Sequence, residues 1–199
     1  MENSIIPATK ELERIYMTIN KLSYDEKLDK NIRIVIQTKG RMKKCIGFHS
    51  PKRWLDEKTN EYISEITMCA EDLIKHDVFE VMLHEVVHSF NFSRGISDCC
   101  TNQYHNHYFK DVAEKHGLKV ERDKQYGFCY TSLNEEGEDL KKAIVPNYEL
   151  FKTFRLKGNV QETYLKKFVC ECGMIIRVAR INTFSATCNN CHSEFKQAN

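Results

Sequence analysis

The chain has 199 residues, enough for one full domain and a small second module. Its composition, 41% hydrophobic and 29% charged with eight Gly and three Pro, excludes collagen and long Gly/Ser or Pro-rich linkers. The net charge of +2 does not argue for nucleic-acid binding, but it is unevenly spread: residues 151–199 carry eight basic against three acidic groups, and the rest is mildly acidic.

The first seven residues, Met1 to Pro7, have neither a basic start nor an apolar run, so no secretory signal and a cytoplasmic location are expected. No stretch approaches the roughly 20 apolar residues that span a bilayer, so no membrane partner is expected. Residues 8–22 place Leu12, Ile15, Tyr16, Ile19 and Leu22 at helical spacing and predict an amphipathic helix. Residues 31–38 alternate Ile32, Ile34 and Ile36 and predict a strand. Lys39-Gly40-Arg41 reads as a turn, with 44–49 as the returning strand of a hairpin. Trp54 reads as core packing. Residues 61–69 predict a third strand, whose position before the next helix suits pairing with an extended peptide. Asp77 is placed to cap a helix over 78–92, which is apolar nearly all round and therefore buried. Residues 93–104 read as a loop and 105–116 as a helix stopped by Gly117. An extended stretch at 118–131 and a short helix at 134–144 follow.

The buried helix contains His84-Glu85-Val86-Val87-His88, an H-E-x-x-H sequence. Positions i and i+4 lie about 40° apart around a helix and one turn along it, so both imidazoles reach one zinc ion. Glu85 is then the general base for a water that zinc acidifies. A catalytic zinc needs a third protein ligand and an open fourth position. The extended motif that adds Gly and His downstream fails here, because Asn91 and Arg94 occupy those places. The candidates are His105, His107, Glu114 and His116, with Cys99 and Cys100 as thiolate alternatives.

Nine Cys without an export signal point to metal rather than disulfides. Cys170-Glu-Cys172-Gly173 and Cys188-Asn-Asn-Cys191, fifteen residues apart, read as a zinc ribbon with a closed structural Cys₄ site. The first knuckle is C-x-C where C-x-x-C is usual, and His192 is an alternative to Cys191. Lys166, Lys167, Arg177 and Arg180 are candidate phosphate contacts, and Phe168 and Phe184 candidate stacking contacts. Lys39 to Lys44 with Lys52-Arg53 form a second basic cluster.

The order of strands, H-E-x-x-H helix, loop and a segment H-x-x-x-F resembles the SprT-like (Spartan-type) zinc metalloprotease family. The matching residues are His105-Asn106-His107-Tyr108-Phe109, with Asn106 where the family has Gly. The resemblance implies His105 as third ligand and His107 as an exposed or supporting residue. It also implies a C-terminal zinc module that engages DNA. The expected architecture is α+β: a zincin-like protease domain over 1–155, then a zinc ribbon over 163–196. The expected function is a zinc endopeptidase acting on DNA-bound or DNA-crosslinked proteins, with one catalytic and one structural zinc. The alternatives are a processing metalloprotease unrelated to DNA, and a zinc-ribbon nucleic-acid binder without protease activity.

Overall fold

The computed structural model describes residues 4–38, 45–100, 102–156, 165–179 and 181–198. The chain is mixed α+β and divides into two compact units, Met1–Leu156 and Lys157–Asn199. The first holds α1 (Ile6–Ser23), β1 (Ile32–Gln37), β2 (Gly47–Asp56), β3 (Glu61–Cys69) and α2 (Val78–Ser93). It continues with α3 (His107–Lys115), β4 (Leu118–Asp123), β5 (Gly127–Leu133) and α4 (Glu135–Ile144). Among the described residues no helix is long and apolar enough to cross a membrane.

The helical stripe of α1 buries Leu12, Ile15, Tyr16 and Ile19 almost completely. Leu22 departs from the expected stripe and is 51% exposed. It lies in the last turn, and beyond it Tyr24, only 2% exposed, takes the core position instead.

The sheet corrects the expected hairpin. Its order is β1-β3-β2, with β3 parallel to β1 and antiparallel to β2. The proposed turn at Lys39–Arg41 lies outside the described residues. The reason for the order is burial: every residue from Ile63 to Cys69 is buried, on both faces of the strand. A strand covered on both faces belongs in the middle of a sheet. β3 therefore has neighbours on both edges, and the expectation that it pairs with a peptide fails. β1 and β2 hold the two edges instead.

In β2 the register shifts between Ser50 and Trp54, where Pro51 lacks an N–H and Lys52 has a positive φ of 51°. Trp54 was expected in the core but is 40% exposed. Its indole N–H donates to buried Glu65 at 2.7 Å, and the Arg33 guanidinium lies 4.5 Å from its ring centre. A polar anchor on one edge of the ring lets it stay at the surface.

α2 runs through the core, with Phe79, Met82, Leu83, Val86 and Val87 fully buried. Its N-cap is Asp77, whose carboxylate accepts the Phe79 N–H at 2.9 Å and the Tyr148 hydroxyl at 2.9 Å. The same carboxylate pairs with Lys141 of α4. Burial alone would raise this carboxyl's pKa, but the Lys141, Tyr148 and Phe79 hydrogen bonds outweigh it and hold it below its usual value. Asp77→Ala is expected to lower stability by about 1–2 kcal/mol, the worth of a good cap. Because the folded pKa is depressed, this stabilisation is present above the unfolded pKa and lost as pH falls through the folded one. Urea titrations of both proteins should therefore converge in acid. An undiminished difference there would show that the charge is not its source.

Candidate metal centres

The first centre is assembled from two separate parts of the chain. α2 brings His84 and His88 to one face through their one-turn spacing. His105 is not on a helix: α3 begins at His107, not at 105 as expected. Asn106 is the N-cap, its side chain accepting the Tyr108 N–H at 2.9 Å. His105 is instead held as a strand-like bridge. It pairs with Cys99 on one side and Gly127 on the other. Its N–H donates to the Tyr126 carbonyl at 2.9 Å, and its carbonyl accepts the Phe128 N–H at 3.0 Å.

His84, His88 and His105 converge. The Nε2 of His105 lies 3.3 Å from that of His84 and 3.1 Å from that of His88. Ligand atoms about 2.0–2.1 Å from one tetrahedral zinc stand about 3.3–3.4 Å apart. All three ligand atoms fall within 4.8 Å of one another. The other candidates lie elsewhere. His107 and Glu114 are exposed, and Glu114 faces Lys110 at 3.8 Å. His116 bonds Ser23 at 3.0 Å and stacks on Tyr24. Cys99 and Cys100 are not in the ligand group among the described residues.

Each imidazole is fixed through its other nitrogen. His84 Nδ1 meets Thr131 Oγ1 at 3.2 Å, His88 Nδ1 meets Asp98 Oδ2 at 3.0 Å, and His105 Nδ1 meets the Gln103 carbonyl at 3.0 Å. The Phe109 ring lies 4.6–4.7 Å from all three. Burial holds His84 well below its ordinary pKa, with the neighbouring histidines adding to the effect. Burial and His88 push His105 down to about 4. Both are therefore neutral near pH 7, the form that binds metal. Burial alone would lower His88 too, but the Asp98 hydrogen bond and charge, with Glu85, raise it.

Glu85 is buried, and burial pushes its carboxyl up to about 7 against the pull of His88 and the His49 backbone N–H. Its Oε2 has no hydrogen-bond partner within the protein. A buried orphan oxygen on the ligand helix fits a group that arrives with the metal.

Two glycines permit this packing. A Cβ on Gly47 would come 2.9 Å from Val81 and 3.0 Å from Glu85 Oε1, so only glycine brings β2 onto α2 here. A Cβ on Gly127, with φ of 66°, would lie 2.1 Å from the His105 carbonyl oxygen. Gly127, Asp98, Thr131 and Gln103 were not singled out by sequence. Only Gly127 left a trace, as the Gly ending the Asp123–Gly127 turn.

The second centre lies in the C-terminal unit. β6 (Lys166–Val169) sits between β7 (Ile175–Val178) and β8 (Lys196–Gln197). Cys170, Cys172, Cys188 and Cys191 place their sulfurs within 4.8 Å of one another. Cys170 and Cys172 are 3.2 Å apart, and Cys172 and Cys188 3.8 Å. Sulfurs at about 2.3 Å from a tetrahedral ion stand about 3.8 Å apart. The C-x-C knuckle closes through Gly173, whose N–H donates to the Cys170 carbonyl at 3.0 Å. His192 is exposed and outside the group. Phe168 and Phe184, expected as stacking contacts, pack edge-on at 4.8 Å in the unit's small core. Lys166, Lys167 and Arg177 are exposed, and Arg180 lies outside the described residues.

A metal held here would supply folding energy, because the core around Phe168 and Phe195 is small. Cys188→Ser is expected to unfold the C-terminal unit with loss of one metal ion per chain, while the histidine site keeps its own. Metal analysis with limited proteolysis reads both. A protease-resistant C-terminal unit in the variant would contradict this.

The four cysteines and the three histidines can each hold a metal ion. Compared with protein-family models, characterised proteins and solved structures, the chain has no match.

Proposed function

We propose that the first unit is a zincin-like zinc endopeptidase of the SprT-like type, and that the second is a zinc ribbon that brings it to DNA. The observation that carries the reading is the convergence of three imidazole nitrogens beside a buried carboxylate with an unpartnered oxygen. His84, His88 and His105 would hold the zinc. A zinc ion there supplies a Lewis acid for the peptide carbonyl and acidifies water.

The chain's own residues do the rest. Glu85 takes the proton of the attacking water at Oε2 and returns it to the leaving amine. Its raised pKa suits both directions near neutral pH. Phe109 and the Nδ1 partners keep the imidazoles in place through both transfers. β2 offers an edge to substrate. The Ile46 carbonyl bonds the Cys69 N–H at 2.9 Å, so the alternate residues Gly47 and His49 turn their backbone groups away from β3. An extended peptide pairing there runs past Glu85, and the Pro51 bulge ends the usable edge.

In the ribbon, Lys167 stands directly opposite Arg177 across β6 and β7, with Lys166 and Lys196 nearby on the exposed surface. Like charges in register repel, and a phosphate backbone relieves that repulsion.

The test is cleavage of an unfolded protein such as casein by the full chain. Cleavage should stop on chelation and return with zinc. Coupling the substrate to single- or double-stranded DNA should raise its cleavage over the free substrate. Zinc at both sites without any cleavage would leave the nucleic-acid-binder reading. Cleavage indifferent to DNA would leave the processing protease.

A further inference from the structure

Asn91 stands where the longer zinc motif has Gly. It is fully buried, three residues after His88 on α2, and its Nδ2 donates to Asp98 Oδ2 at 2.9 Å. The same Asp98 oxygen accepts from His88 Nδ1 at 3.0 Å. The orientation of the amide follows from this contact, since its oxygen turned toward the carboxylate would be repelled. Asn91 Oδ1 is left buried without a partner. Asp98 also acts through its backbone. Its carbonyl accepts the Asn106 N–H at 3.0 Å, directly after His105, and Asn106 Nδ2 donates to the Ser97 carbonyl at 2.8 Å. Asp98 is 7% exposed.

The three ligand histidines thus differ in their support. His84 has a hydroxyl and His105 a carbonyl, both neutral. His88 alone has a carboxylate.

We propose that Asp98, held by Asn91, is the positioning residue of the histidine site, orienting His88 through its carboxylate and tying the His105 segment through its backbone. This rests on the metal-binding reading of the three histidines. A carboxylate accepting from Nδ1–H fixes the tautomer with its lone pair on Nε2, toward the metal. A buried negative charge one imidazole away from a dication also raises the basicity of the ligand. Asn91 keeps the carboxylate from rotating, because it supplies a second donor to the oxygen that His88 uses.

The experiment reads metal rather than activity. Full-length chain is loaded with zinc, and retention at each site is followed by competition with a chelator. Cobalt substitution separates the sites, since thiolate ligands add intense charge-transfer bands that imidazoles lack. Asp98→Asn preserves volume but removes the charge, and at the one position that both donors share its amide offers either a weaker neutral acceptor or an opposing N–H. It should weaken zinc at the histidine site about 10–100-fold and shift the cobalt bands of that site alone. Asn91→Ala should weaken it less, because His88 keeps its acceptor. Asp98→Glu keeps a carboxylate acceptor at the cost of one extra methylene, and should retain zinc at the histidine site better than Asp98→Asn does. A merely structural role would give the reverse order, because the amide is nearer to the native side chain in size. Unchanged zinc affinity in Asp98→Asn, with the wild type loaded at both sites, overturns the proposal. So does an Asp98→Glu variant that holds zinc no better than Asp98→Asn. A wild-type chain that binds metal only at the four cysteines overturns the underlying metal reading as well.

Discussion

Glu85→Gln is expected to lower peptide-bond cleavage by about 10²–10⁴-fold, the usual worth of a general acid–base group, and to leave both zinc ions bound. The amide is nearly isosteric, so it still accepts the His49 N–H that reaches Glu85. It cannot accept a proton at neutral pH. The carboxylate is not among the ligand group, so metal content should be that of the wild type. Burial of an amide in place of a carboxylate also removes a desolvated charge, so the variant should be at least as stable. Cleavage assays and metal analysis on the same preparation read both effects. Near wild-type cleavage would exclude Glu85 as the base, and loss of the histidine-site zinc would make it a ligand.

The second large effect concerns the third ligand and its support. His105→Ala should remove zinc from the histidine site and abolish cleavage, whereas His107→Ala should change neither by more than a few fold. His107 is exposed at the start of α3, and His105 is buried with its Nε2 in the cluster. Gly127→Ala should behave like His105→Ala although it removes no ligand. Its Cβ cannot occupy the 2.1 Å gap to the His105 carbonyl, so the bridge to β5 must part. The positive φ of 66° adds strain for any residue with a Cβ. Losing that bridge frees His105 from both backbone hydrogen bonds that aim it. Gly95→Ala is the control, since it too has positive φ but nothing lies within 4 Å of its Cβ position. Zinc retained in Gly127→Ala at the wild-type level would show that His105 is aimed by the Cys99 side alone.

The helical half of the site could be read directly from residues. An i, i+4 histidine pair on an apolar helix lies on one face whatever surrounds it, because 3.6 residues per turn is a local property. The cysteine pairs were legible for a similar reason: two short knuckles each present both sulfurs locally. The capping of α2 by Asp77 and the core stripe of α1 also follow from local chemistry and periodicity.

What the sequence could not determine depended on which segments meet. His105, His107, Glu114 and His116 all stood as candidates by position, and the resemblance alone selected His105. The structure separates them, because His105 sits in a bridge between Cys99 and Gly127 that is distant in sequence on one side. The place of β3 between β1 and β2 is likewise a matter of partners, since alternation in a strand does not show which strands hydrogen-bond to its two edges. Asp98 and Asn91 looked like ordinary loop and helix polars. Only the close approach of the 97–106 segment to α2 turns them into a hydrogen-bonded support for His88, because a side-chain contact across a fold has no period along the chain.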